Sequence, residues 1–285
     1  MSGPGTWHAA PSTLDDMAFD LDDLVACLSL TEGAHGWEGA NLDIGYHRVF
    51  GGQILAQALV AAASSAPDKS VKSMHVLFPR EGDTARPVQY RVTPLQAGRT
   101  FATTEVIAHQ DGKVVSVALV SLHAAEDGLD RNEAPPSVGP PEDAELVDLG
   151  MVPWETRLAG GVDLASREVG SAELRWWSRT PPIGDGTALH QALLAHATDL
   201  TVIGTALRPF DGLSQADSTV TLHTAVTSHT LWFHRPFRVD GWLLIAQEAP
   251  VVAHGRAYGR GDVFAGDRLV ASFAQESMVR RIEPA

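Results

Sequence analysis

Hydrophobic and polar positions along the chain repeat with two periods, one helical and one alternating, and each appears twice. Leu14, Met17, Leu21, Leu24, Val25 and Leu28 keep helical spacing, with Cys27 packed among them. Residues 1–12, small and rich in Gly and Pro without any period, predict a frayed start. The run Gly51-Gly52-Gln53-Ile54-Leu55-Ala56-Gln57-Ala58-Leu59-Val60 opens a helix that continues to about Ala66 and stops before Pro67. A second helix opens at Thr187-Ala188-Leu189-His190-Gln191-Ala192-Leu193-Leu194. Both contain Gln-Ala-Leu, then an apolar residue and Ala. Neither carries charge over several turns, so each is predicted to be surrounded by protein rather than to lie on a surface.

A β-rich block with matching punctuation follows each helix. Met74-His75-Val76-Leu77-Phe78 answers to Thr230-Leu231-Trp232-Phe233, and each strand is soon followed by an Arg and then an Asp. Gly98-Arg99-Thr100-Phe101 answers to Gly255-Arg256-Ala257-Tyr258. The turn Gln110-Asp111-Gly112-Lys113 answers to Ala265-Gly266-Asp267-Arg268, which marks hairpins in both copies. Trp176 and Trp177 fall in a further strand. Between the copies lies an acidic, proline-rich stretch that includes Glu126, Asp127, Pro135, Pro136, Pro140 and Pro141; it reads as an extended connector that builds no core. The pattern predicts a duplicated α+β fold, with units at 13–124 and 166–285 and a linker at 125–165.

Composition narrows the function. Thirty-five acidic against 21 basic residues give a formal charge of −14 in 285 residues, which disfavours binding to a phosphate backbone, so no nucleic-acid partner is expected. Cys27 is the one cysteine, so neither an internal disulfide nor a multi-thiolate zinc site is available, and a reducing, cytoplasmic setting is expected. There is no apolar run long enough for a membrane span and no secretory leader pattern. His190 and His196 are six apart, off the spacing for one helix-borne metal site, and neither a Gly-x-Ser-x-Gly elbow nor a phosphate loop occurs. His229 and His234 bracket an aromatic strand and read as packing. Arg80, Arg235, Arg256 and Arg260 are candidates for substrate phosphates or for ordinary ion pairs.

Val49-Phe50-Gly51-Gly52-Gln53, Trp232-Phe233-His234-Arg235-Pro236-Phe237 and Ala271-Ser272-Phe273-Ala274-Gln275-Glu276, in this order and with the internal duplication, resemble the type II acyl-CoA thioesterase (TesB) family over roughly Leu14 to Arg281. The resemblance implies a double hotdog, two helix-in-sheet units side by side. It also implies hydrolysis of acyl-CoA to free acid and CoA without metal or organic cofactor, and association into a homo-oligomer. The family holds and activates water with an Asp, a Gln and a Ser or Thr. Carried over, the Asp falls on Asp199 in Ala197-Thr198-Asp199 and the Gln on Gln275. An ungapped match sets Val226 on the hydroxyl position and Ser228 on the Asp that precedes the histidine, so Ser228, Thr227 or neither supplies the hydroxyl. Ser228 shares a face with Val226 by alternation, whereas Thr227 needs a bulge to reach it.

The residues add their own argument. Ala192, His196, Asp199 and Ile203 follow one helical stripe, which puts the Asp199 carboxylate on a face that should be buried, a costly place without partners or a task. An offset of 155 pairs Lys113 with Arg268 and Val120 with Gln275; an offset of 134 pairs Gln57 with Gln191 and Ser65 with Asp199. The carboxylate and the amide thus appear only in the second copy, which predicts one site per chain lined by the second unit. Read alone, Asp199 also suits a local hydrogen-bonding role and Gln275 an edge-strand residue facing water. As chemistry, an ionised carboxylate orients a water and takes its proton during attack on a thioester. The competing expectation is an acyl-CoA binder with weak or no hydrolysis, motivated by Val226.

Overall fold

The computed structural model describes residues 19–33 and 36–282. Helix α1 (Leu21–Cys27) is closed at its N-terminus by a reciprocal capping box between Asp20 and Asp23. Leu14 and Met17, the start of the predicted stripe, lie outside the described residues. Two short strands, β1 (Thr31–Gly33) and β2 (Gly36–Gly39), lead to the uncharged helix α2 (Gly51–Ser64), whose residues from Gly52 to Leu59 are all buried. Its Gln57 is tolerated there because its amide is satisfied: Nε2 donates to the carbonyls of Cys27 and Ala40, and Oε1 accepts from the Tyr90 hydroxyl.

Strands β3 (Ser70–Leu77), β4 (Val88–Ala97), β5 (Phe101–Gln110) and β6 (Lys113–His123) complete the first half and curl against α2. The second half contains β7 (Glu145–Val147), β8 (Glu155–Leu158), β9 (Glu173–Arg179), helices α3 (Thr187–Thr198) and α4 (Val202–Leu207), then β10 (Leu222–Phe233), β11 (Leu243–Ala253), β12 (Arg256–Ala265) and β13 (Arg268–Arg281). All pair antiparallel in one sheet ordered β1-β2-β4-β5-β6-β3-β10-β13-β12-β11-β9-β8-β7. The predicted hairpins are present as β4–β5, β5–β6, β11–β12 and β12–β13. This is the double hotdog, with α3 packed along α2 between the two halves.

The halves join through β3 and β10, and the register there carries the duplication. Ser73 pairs with Trp232, His75 with Thr230 and Leu77 with Ser228. Residues 228, 230 and 232 are the 155-offset equivalents of 73, 75 and 77, so a local two-fold axis passes between His75 and Thr230. Their side chains meet at 3.3 Å, from His75 Nδ1 to Thr230 Oγ1.

Two expectations change. The stretch expected to be a linker without a core at 125–165 is irregular only in its first part. Its second part forms β7 and β8 on the edge of the second half-sheet and buries Leu149, Val152, Trp154 and Leu158, apolar residues that the surrounding Pro and acidic residues obscured. The helical stripe expected to continue through Ile203 breaks after Thr198. The Thr198 hydroxyl turns back to the Ala195 carbonyl at 3.1 Å, the kind of local bond that competes with helix continuation, and Asp199 caps the end.

Close approach of the two helices depends on Gly52. A Cβ there would lie 2.4 Å from the His196 carbonyl oxygen and 2.5 Å from the Phe50 ring. Gly52→Ala should therefore destabilise the chain by about 1–3 kcal/mol through overpacking. Urea unfolding would read this as a lower midpoint at constant slope; an unchanged midpoint would contradict the packing.

Candidate active site

Helix α3 delivers Asp199 at its C-terminal cap, the end where the helix dipole is unfavourable to a carboxylate. The carboxylate nevertheless finds a positive end, because α3 stops beside the start of α2. Phe50, the N-cap of α2, offers no side-chain hydrogen bond, and the Asp199 carboxylate stands in that place, close enough for the Gly52 N–H to favour its charge. Oδ2 lies 2.8 Å from where a Gly51 Cβ would be, so a side chain there would displace the carboxylate. Oδ1 is buried with no hydrogen-bond partner.

Asp199 is 3% exposed. Burial pushes its pKa up to about 7, a rise that the Gly52 N–H and the Arg48 charge only partly oppose. Arg48 is held near the site by Glu81, by the Tyr46 hydroxyl at 2.9 Å and by the Thr224 carbonyl at 2.6 Å.

Gln275, on β13, is also buried and reaches the same place through His229, which faces it across the β10–β13 ladder. His229 Nδ1 is 2.8 Å from Gln275 Oε1 and 3.9 Å from Asp199 Oδ1; Nε2 is 3.2 Å from Thr198 Oγ1. Gln275 Nε2 donates to Ser277 Oγ at 3.0 Å. Burial pushes the His229 pKa down to about 4, so the ring is neutral near pH 7 and its contact with Asp199 is not an ion pair.

The two hydroxyl candidates part company at a bulge. Val226 pairs with Ser277 and Ser228 with Glu276, which leaves Thr227 unpaired between them. The bulge resets the alternation, so His229 rather than Ser228 follows Val226 onto the inner face. Ser228, opposite Glu276 and the exposed Leu77, is on the outer face and away from Asp199, contrary to the expectation from simple alternation. Thr227 borders the cavity and donates its hydroxyl to the Glu276 carbonyl at 3.0 Å.

Asp199 opens onto a cavity of about 350 Å³ with an apolar wall of Phe50, Ile54, Phe78, Leu200, Ile203 and Val226. Arg48 and Arg80 also border it. The cavity is walled by both halves, a correction to the expectation that the second unit alone lines it: the start of α2 and the residues after β3 are as much part of it as Asp199. The sequence signal for this was the Gly51-Gly52 pair opening a long helix without a capping side chain. His229 was read from sequence as packing; its 155-offset equivalent is Met74, the same apolar-to-polar change that marked Gln275. Of the four arginines considered for phosphates, Arg80 borders the cavity, whereas Arg235, Arg256 and Arg260 face Asp130, Glu276 and Glu248. His190 accepts from the Val239 N–H and His196 bonds the Met151 carbonyl at 2.7 Å. Among the described residues no three His, Cys, Asp or Glu side chains cluster as a metal site, and no helix is long and apolar enough to cross a membrane.

Comparison with known proteins follows the same division of the chain. Residues 40–123 match the family model described as the acyl-CoA thioesterase N-terminal domain, and residues 127–279 match that of the C-terminal domain. Acyl-CoA thioesterase 2 of Haemophilus influenzae is 32% identical over 266 residues, 86% of this chain and 92% of its own length. Human acyl-coenzyme A thioesterase 8 is 31% identical over 283 residues, 90% of this chain and 85% of its own. The crystal structure of an acyl-CoA thioesterase II from Mycobacterium marinum superposes with a TM-score of 0.77 at 30% identity, covering 91% of this chain and 99% of that one. With both halves matched in order and these relatives aligned over most of their length, the chain belongs to the acyl-CoA thioesterase family.

Proposed function

We propose that the chain hydrolyses acyl-CoA thioesters to a free acid and CoA, with Asp199 as the general base for an attacking water. The observation that carries this reading is the buried Asp199 carboxylate, held by no cationic partner in contact, at the edge of an apolar cavity. A water accepted there is oriented by the carboxylate and loses its proton to it as its oxygen bonds to the thioester carbonyl carbon. Collapse of the tetrahedral intermediate breaks the C–S bond, and CoA leaves as the thiolate. Gly51, in the first turn of α2 and bordering the cavity, offers an N–H without an intrahelical acceptor for the developing oxyanion. The Thr227 oxygen, its proton committed to Glu276, accepts from the water. Gln275 does not border the cavity and reaches the carboxylate through His229. The apolar wall suits an acyl chain, and the Arg80 guanidinium suits a CoA phosphate. A cytoplasmic homo-oligomer acting in fatty acid and other lipid metabolism completes the proposal, on the resemblance and the cysteine usage given above.

Asp199→Asn should lower kcat by roughly 10²–10⁴-fold, the usual range for a lost general base. Gln275→Ala should also lower it, while Ser228→Ala leaves it unchanged. Thiol release from a series of acyl-CoAs measures all three, and wild-type turnover in Asp199→Asn would reject the site. Gly51→Ala should reduce kcat in a folded chain by displacing the carboxylate; full activity would deny its placement.

The base must be ionised, so kcat should rise with pH and level off above about 7; a profile already flat from about pH 5 would contradict a raised pKa. The same shift sets a stability cost. A carboxyl with a raised folded-state pKa keeps its proton where the unfolded chain has lost it, so stability falls as pH rises from about 4 to about 7 and is then constant. Asp199→Asn removes this cost, and at pH 8 its melting temperature should exceed the wild type's. An equal or lower value would contradict the account.

A further inference from the structure

His229 is a fully buried titratable group to which the proposed chemistry assigns no task, and its surroundings give it one. We propose that His229 is a positioning residue for the hydrolysis: it links Gln275 to the end of α3 and fixes the Asp199 carboxylate at the edge of the cavity. The inference rests on the function proposed above.

The molecule contains its own control for a purely structural role. In the first half the equivalent ladder position pairs Met74 with Val120, both fully buried, where the second half pairs His229 with Gln275. The fold is therefore built once with apolar residues at these two positions. Burying an imidazole and an amide in their place incurs a desolvation cost that packing does not require. Ser65, the equivalent of Asp199, completes the contrast: all three polar members of the chain from β13 through β10 to α3 change together.

The geometry shows how the link works. The amide oxygen of Gln275 accepts the Nδ1 proton of His229, which fixes the tautomer and leaves Nε2 as an acceptor 3.2 Å from Thr198 Oγ1, whose single proton is shared between it and the Ala195 carbonyl. Thr198 is the last residue of α3, and Asp199 follows it. The ring is thereby tied to β13 on one side and to the end of α3 on the other, and it stacks on Phe273 at 5.9 Å. Its neighbours are Thr198 and Asp199 from α3, Gln275 and Phe273 from β13 and, across the ladder, Val76 of β3. Asp199 is the one titratable group among them. A neutral ring with its proton held by Gln275 lies 3.9 Å from Oδ1, too far to satisfy it, so the buried oxygen gains no hydrogen bond from the ring and the carboxylate stays basic. A protonated ring there would pair with Asp199 and weaken the base.

The test compares His229→Met, which copies the first half, with His229→Asn, whose amide nitrogen stands near the Nδ1 position, and with Gln275→Ala and the His229→Met/Gln275→Ala double variant. Thermal unfolding checks that each is folded. Loss of positioning should lower kcat of His229→Met by at least roughly tenfold with KM within about twofold, because the interaction is realised in the chemical step. The pH midpoint of kcat should move, and His229→Asn should restore most of the rate and the midpoint. The double variant should be no slower than the slower single variant, since both act through one link. Wild-type kcat and pH midpoint in His229→Met, equal loss in the Met and Asn variants, or multiplying losses in the double variant would overturn the proposal. A wild-type chain that releases no thiol from any acyl-CoA would instead overturn the function itself, and this inference with it.

Discussion

A carboxylate without a cationic partner in contact has to be stabilised by dipoles, and Asp199 is stabilised by those of a helix it does not belong to. It ends α3, where the peptide dipoles oppose it, and survives because α2 begins there with free N–H groups and a glycine that lets it approach. The Gly52 N–H favours the charged group, yet too little to make it an ordinary acid. The candidate site therefore lies where the two helices meet end to start, and the close packing at Gly51 and Gly52 is a condition of the proposed chemistry as well as of the fold.

The duplication explains why there is one such place. A two-fold relation through the β3–β10 junction gives the second half an equivalent for every major element of the first, yet the polar residues are distributed on one side. Ser65, Met74 and Val120 occupy the positions of Asp199, His229 and Gln275. Neither half is a site alone: the first supplies the start of α2 and part of the cavity wall, the second supplies the carboxylate and what lies behind it. This division of labour between near-copies gives a functional meaning to keeping both in one chain.

Periodicity and punctuation made the two central helices, the strand pairs and the hairpins legible before any coordinates, because an uncharged helix and a Gly-containing turn each have few structural interpretations. Asp199 and Gln275 stood out because comparing the copies exposes polar residues that packing does not need. His229 satisfied the same criterion against Met74, and reading it as an aromatic neighbour hid it. Ser228 misled for a different reason: a single unpaired residue at Thr227 reverses which side chains face inward, and nothing local in Val226-Thr227-Ser228 announces a bulge. The contribution of α2 showed only as the uncapped Gly51-Gly52 start, because a dipole and a backbone N–H have no letter in the sequence. In the connector, Leu149, Val152, Trp154 and Leu158 were too widely spaced among turns to show a period, although they pack into the core.

The claim on which the account rests is spatial: the reacting carbonyl must lie within reach of a water on the Asp199 carboxylate. A crystal structure of the chain with an unhydrolysable acyl-CoA, in which a methylene ketone replaces the thioester, measures this directly. The account predicts the ketone carbon beside Asp199 at the start of α2, with an ordered water on the carboxylate and the acyl chain against Phe50, Ile54 and Ile203. A ketone seated elsewhere, or an Asp199 carboxylate closed off from it by protein, would contradict the account.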